Sequence, residues 1–255
     1  MELLSKVGRY EFLAEPFHCD FSGHLFMGQL GNHMLNAADF HSTERGYGMS
    51  HLNLERKTWV LSRLAIEMRE MPRVYDRFYV DTWVDGAMRY FTSRNFSVVG
   101  LDGKTYGYGK SIWAMIDTDT RQPVDIFSIQ GGLIKAYVDT ETPCPIDKSS
   151  RVRSSTDEET VRTIDTCYHD IDVNGHVNSV KYIEHALDLF GVDYYREHRI
   201  SRFEVAYVAE THMGDRLRIY REQIPGEETY VIKMTKLCPG NEEEEEVVRS
   251  KVKFV

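Results

Sequence analysis

Asp172, Asn174 and His176 alternate at i, i+2 and i+4 in the stretch DIDVNGHVNSVKYIEHALDLF, residues 170–190. A carboxylate can take a proton, an amide can donate to an oxygen, and an imidazole can do either near neutral pH. Gly175 permits a backbone angle that most residues avoid. Beyond it, Val177, Val180, Ile183, Ala186 and Leu187 recur at helical steps. The three polar side chains therefore stand at the mouth of a helix. Unpaired N–H groups and the positive end of the helix dipole gather there, so amides near Gly175 to Val177 are expected to hold an oxygen that acquires negative charge. Taken singly, each residue has a plainer use: Asp and Asn cap helices, and His can satisfy a backbone carbonyl. Together within five residues they mark a candidate site.

The helix that carries this stretch is expected to run to about Tyr195. Strands are expected before it at 161–168 and after it near 201–208, 215–224, 228–238 and 246–254, from Val, Ile, Thr and aromatic content between turn signals. The first half repeats the order. A lead-in strand at 8–18 precedes a helix from Leu25 to about Arg45, with Leu25, Leu30, Met34, Leu35, Ala38 and Phe40 as its apolar stripe and Gly46 and Gly48 at its end. Strands follow at 57–67, 77–85, 90–99 and 104–117, and their Trp59, Trp83 and Trp113 are expected in the core.

Asp20-Phe21-Ser22-Gly23-His24 matches Asp172-Val173-Asn174-Gly175-His176, and each precedes a long helix. Internal duplication accounts for both observations. The fold class is α+β, with a first domain at 1–125, a Pro- and Gly-punctuated interdomain linker at 126–160 and a second domain at 161–255. The acid run from Glu242 to Glu246 is expected to be a solvated hairpin tip.

Composition narrows the functions. Hydrophobic residues at 42% and charged residues at 28% fit a globular protein, and no apolar run approaches the roughly 18 residues of a membrane helix. Charges interrupt the opening residues, which therefore lack the apolar core of a signal peptide, so a cytoplasmic location is expected. Cys19, Cys144, Cys167 and Cys238 lie far apart without metal-ligand spacing, which makes reduced, packed thiols the expectation and argues against a structural zinc or a disulfide framework. A net charge of −9 argues against nucleic acid. No nucleotide-binding glycine loop and no HExxH occurs.

DVNGHVNSVKYIEHAL closely resembles the catalytic-helix motif of the acyl-acyl carrier protein (acyl-ACP) thioesterases, which release fatty acids from the carrier in plant plastids and bacteria. Asp-x-Asn-x-His-Val-Asn and then Lys-Tyr-Ile read across without a gap. TWVLSRL at 58–64, VDTWVDG at 80–86 and SIWAMIDTDTRQPV at 111–124 look like family segments in the family order, so the resemblance to a bacterial member covers nearly the whole chain. It implies a tandem double hotdog, each half a long central helix wrapped by an antiparallel sheet. It also implies hydrolysis of fatty acyl-ACP, with the acyl group on a 4′-phosphopantetheine arm, no cofactor or metal, and acyl carrier protein as partner. Asp172, Asn174 and His176 match the family's site residues, and Glu210 matches its strand-borne glutamate. The cysteine that follows this glutamate in plant members is Thr211 here.

That departure favours direct attack by water over a thiolate nucleophile, with either Asp172 or Glu210 as base. Asp20, Ser22 and His24 are read as a degenerate copy, with Arg63 or Ala65 roughly where duplication would place a second Glu210. Lys181, Arg196 and Arg199 are candidate contacts for an acidic carrier. An acyl-CoA thioesterase and a noncatalytic acyl-binding protein are the alternatives, and the chain fits a monomer or a homodimer.

Overall fold

Strand-like alternation before and after one amphipathic helix is the plan of both halves of this chain. The computed structural model describes residues 3–150, 160–237 and 243–255. Two compact units emerge, residues 1–148 and 149–255. In the first, β1 (Gly8–Leu13), β2 (Lys57–Met68), β3 (Arg77–Ala87), β4 (Phe91–Gly100) and β5 (Thr105–Asp117) form an antiparallel sheet in the order β1-β3-β4-β5-β2. The helix α1 (Met27–Glu44) packs against β1 and β3, burying Leu30, Met34 and Ala37 with Phe78, Val80 and Trp83 of the sheet. A short α2 (Met49–Leu52) follows it.

The second unit repeats this topology. β6 (Thr160–Asp165), β7 (Ile200–Tyr207), β8 (Arg216–Gln223), β9 (Thr229–Leu237) and β10 (Glu244–Phe254) pair in the order β6-β8-β9-β10-β7, the same permutation as in the first unit. Its core holds Ile183, Ala186, Phe203, Ile219, Ile232 and Val248. The described strands lie within about two residues of most positions expected from the sequence, because turn residues and β-branched runs fix both ends of a strand.

Some expectations need correction. The helix expected to reach Tyr195 breaks into α3 (Ser179–Leu187) and α4 (Val192–Glu197). Phe190 at the break turns inward against Tyr194, Tyr230 and Phe254. The carbonyls freed there accept hydrogen bonds from Tyr195 Oη to Leu187 O (2.8 Å) and Arg221 Nη1 to Leu189 O (2.8 Å). Residues 126–148, read as linker, belong to the first unit: two 3-10 helices, Ile126–Gly131 and Leu133–Tyr137, bury Ile126, Ile129, Ile134 and Tyr137 against Tyr47, Leu52 and Met115. Within that stretch, residues 149, 150 and 160 belong to the second unit, and 151–159 lie outside the described residues.

The α1 stripe departs from pattern as well. Phe40 is 45% exposed, while His33, His41 and Ser42 are buried. Ser42 Oγ accepts from the buried Arg94 Nη2 (3.0 Å) and donates to Ala38 O (2.7 Å), so a polar network occupies part of the helix's inner face. Trp83 is buried as expected, whereas Trp59 and Trp113 are half-buried. Cys167 is exposed rather than packed, and Cys19 and Cys144 are half-buried. Cys238 and Glu242 lie outside the described residues. Glu244 to Glu246 open β10 and are partnered: Glu244 accepts from Arg218, Tyr220 and Thr235, Glu245 meets Lys236 at 2.9 Å, and Glu246 pairs with Arg249.

Candidate active site

The loop between β6 and α3 closes on itself. Ile171 bridges Val177, and Asp172 N–H donates to His176 O (2.8 Å). Gly175, at φ +81°, makes the turn, and its N–H donates to Asp172 O (3.0 Å). Asp172 Oδ1 accepts from the N–H of Asn174 (2.8 Å) and of His176 (3.4 Å), bracing the turn from within. Asn178 caps α3 by accepting from Val180 N–H (2.9 Å), and its own N–H donates to Asp170 O (2.7 Å).

Asp170 fixes this loop to the helix. Its Oδ2 accepts from Cys167 N–H (2.8 Å), and its Oδ1 lies 3.1 Å from His185 Nε2 on α3. Burial pushes the Asp170 carboxyl up, but the Cys167 hydrogen bonds and the His185 imidazole outweigh it and hold the group below the ordinary carboxylate range.

The sheet supplies the other wall. Glu210 and His212 meet His176: Glu210 Oε2 lies 3.4 Å from His176 Nε2, and the His212 ring packs against the His176 ring at 4.9 Å between centroids and 69° between planes. Thr211, between them, is fully buried and shares a hydrogen bond with Tyr182 Oη of α3. Its carbonyl accepts from Val177 N–H (2.8 Å), and Lys236 Nζ donates to Glu210 O (3.1 Å). Burial pushes the Tyr182 hydroxyl up to about 12, so it stays protonated.

The structure thus brings His176 and Glu210 together, assigns Asp172 to the turn beside them, and leaves the Asn174 side chain exposed at the same loop. One expectation fails. The amides of Gly175, His176 and Val177 all donate within the protein, to Asp172 O, Asp172 Oδ1 and Thr211 O, so they are not available to an oxyanion. The loop closes as a small hairpin before the helix starts at Ser179, and hairpin closure consumes those donors.

Duplication extends to the hydrogen bonds. In the first unit Asp20 N–H donates to His24 O (2.8 Å), Gly23 N–H to Asp20 O (3.0 Å), and Asp20 Oδ1 accepts from the N–H of Ser22 (2.8 Å) and His24 (3.1 Å). Leu25 N–H donates to Pro72 O (2.9 Å), as Val177 does to Thr211. Arg73 N–H donates to Asp76 Oδ2 (2.8 Å), as His212 does to Asp215 Oδ2 (2.9 Å). This register places Met71 opposite Glu210, correcting Arg63 or Ala65, and places Pro72 opposite Thr211, Arg73 opposite His212 and Leu30 opposite Tyr182. Asp20 and His24 keep the turn without a carboxylate at the Glu210 position.

Sequence reasoning missed His212, Asp170, His185 and Tyr182. His212 was signalled by its i+2 spacing from Glu210, while the others depend on the closure of the loop onto α3. A surface cleft of ≈ 630 Å³ borders the loop, lined by Tyr168, His169, Ile171, Asp172, Val173, Gly175 and Met213. Neither His176 nor Glu210 lines it. Lys181 pairs with Glu184 (2.7 Å) and Arg196 with Asp193 (2.6 Å), each within its own helix. No helix among the described residues is long and apolar enough to cross a membrane.

The family model described as acyl-ACP thioesterase N-terminal domain matches residues 6–128, and that for the acyl-ACP thioesterase C-terminal domain matches residues 153–254. The chain is similar to the crystal structure of an acyl-ACP thioesterase from Bacteroides thetaiotaomicron, with 49% identity, a TM-score of 0.89 and 98% of each chain covered. It shares its double-hotdog fold with a 12:0-ACP thioesterase from Umbellularia californica at 21% identity and a TM-score of 0.82, covering 100% of this chain and 99% of that one. A chloroplastic palmitoyl-acyl carrier protein thioesterase from Gossypium hirsutum is 27% identical over 156 residues, which is 60% of this chain but 38% of the cotton protein. The chain therefore spans well under half the length of that curated relative. With both halves matched in order, the chain belongs to the acyl-ACP thioesterase family.

Proposed function

We propose that this protein hydrolyses the thioester of fatty acyl-ACP, releasing free fatty acid and ending chain elongation in fatty acid biosynthesis. The observation that carries the reading is Glu210 Oε2 3.4 Å from His176 Nε2 beside a Thr211 whose hydroxyl is buried on Tyr182. Attack is by water. Glu210 takes a proton as the water oxygen bonds the thioester carbon, and the carbonyl becomes an oxyanion. Asn174 and the His176 imidazole supply the N–H donors, since the loop amides are engaged elsewhere; each such donor is worth about 3 kcal/mol. Collapse breaks the C–S bond, and the thiolate of the pantetheine arm, conjugate to a thiol of pKa about 8.5, leaves readily and takes up the proton.

Glu210 is preferred over Asp172 as base on two grounds. Asp172 Oδ1 braces the turn in the same way as Asp20 Oδ1 does where no Glu210 equivalent stands, and Glu210 is the carboxylate in reach of the imidazole. No cofactor or metal is required by this scheme, and it operates in the cytoplasm. The test is thiol release from acyl-ACP and acyl-CoA of matched chains, with identification of the acid. Faster turnover on acyl-ACP is expected; preference for acyl-CoA, or no release from either, would contradict the reading.

A further inference from the structure

We propose that His212 is a positioning residue that sets the orientation of the His176 ring. The inference rests on the hydrolase reading for its kinetic consequence, but not for its geometry. His212 is held by both backbone groups: its N–H donates to Asp215 Oδ2 (2.9 Å), and its carbonyl accepts from Thr166 Oγ1 (2.6 Å). The peptide is thereby fixed before the side chain is considered. From that platform the ring packs edge-to-face on His176 at 4.9 Å, while Glu210 Oε2 lies 3.4 Å from His176 Nε2. A ring packed against a second ring and in reach of a carboxylate has few rotamers left, which is what an imidazole that presents an N–H to an oxyanion requires.

The first unit supplies an internal contrast. There the same tether, Arg73 N–H to Asp76 Oδ2, presents Arg73 where His212 stands, and Met71 replaces Glu210. The tether is common to both copies; the ring and the carboxylate occur together in one. His212 is also 60% exposed at its side chain, so its replacement leaves the core untouched.

The test compares His212→Ala, His212→Phe and His212→Gln, alone and with His176→Ala. His212→Ala lowers kcat about 5-fold with KM unchanged. His212→Phe restores most of the loss because it keeps a flat ring, and His212→Ala adds nothing once His176 is gone. Rescue by Gln but not Phe would make His212 a donor to substrate, and additive loss in the double variant would sever its link to His176; either overturns the proposal. NMR of the His176 ring reads the contact without turnover. Its signals shift in His212→Ala as the neighbouring ring current is lost, and unmoved signals would overturn the contact. A chain that releases no thiol contradicts the hydrolase reading instead, while the NMR result still decides the contact.

Discussion

The hydroxyls of Thr211 and Tyr182 are hydrogen-bonded to each other in the interior of the second unit, with Thr211 wholly removed from solvent. A hydroxyl so placed ties the segment after β7 to α3 and is closed off from solvent. Thr211→Val therefore keeps kcat within about 3-fold while lowering stability by about 1–2 kcal/mol, since the Tyr182 hydroxyl loses its partner. Steady-state kinetics alongside chemical denaturation checks both halves. Loss of turnover in a folded Thr211→Val would assign the nucleophile's role to the Thr211 hydroxyl instead of water.

Asp20 and Asp172 brace identical turns, so their removal separates structure from chemistry. Asp20→Ala and Asp172→Ala each free two loop amides and are expected to cost about 1–2 kcal/mol of stability. Only Asp172→Ala lowers kcat, by about 10- to 100-fold, because the turn it braces carries Asn174 and His176. Equal kinetic losses in the two variants would show that the first copy retains a role in turnover.

His33 introduces a pH dependence into the first unit. Burial lowers its pKa from 6.5 to about 4, and neither ring nitrogen has a hydrogen-bond partner. Between those values the unfolded chain binds a proton that the folded chain refuses, so stability falls as pH drops from about 6.5 toward 4 and the contribution levels off below. The full effect is roughly 3 kcal/mol. His41, pushed down to about 2 by burial, acts with the same sign. His33→Leu is expected to flatten the fall in Tm between pH 6.5 and 4.5. Parallel Tm curves for the two proteins would show that His33 does not set this slope.

Much of this architecture was legible in the residues. Turn glycines and β-branched runs placed the strands, and the repeat of Asp-x-x-Gly-His before a helix announced the duplication. What escaped depends on contacts distant in sequence. The interruption of the second helix at 188–191 has no proline to announce it, and arises because Phe190 is drawn into the ring cluster of Tyr194, Tyr230 and Phe254. Residues 126–137 look like a connector because their isoleucines are spaced for 3-10 turns that gain stability only by packing on Tyr47 and Met115. At the site, His176 and Glu210 were named from a motif. The fate of the loop amides was not readable, since it depends on which carbonyls the closed hairpin brings within reach.

Glu210→Gln tests the central claim most directly. Gln keeps the side chain's size and an oxygen toward His176, but it cannot take a proton from water. With acyl-ACP as substrate, the account predicts at least a 100-fold fall in kcat, KM within about 3-fold and an unchanged Tm. A Glu210→Gln enzyme that turns over at the rate of the unaltered chain would contradict the account.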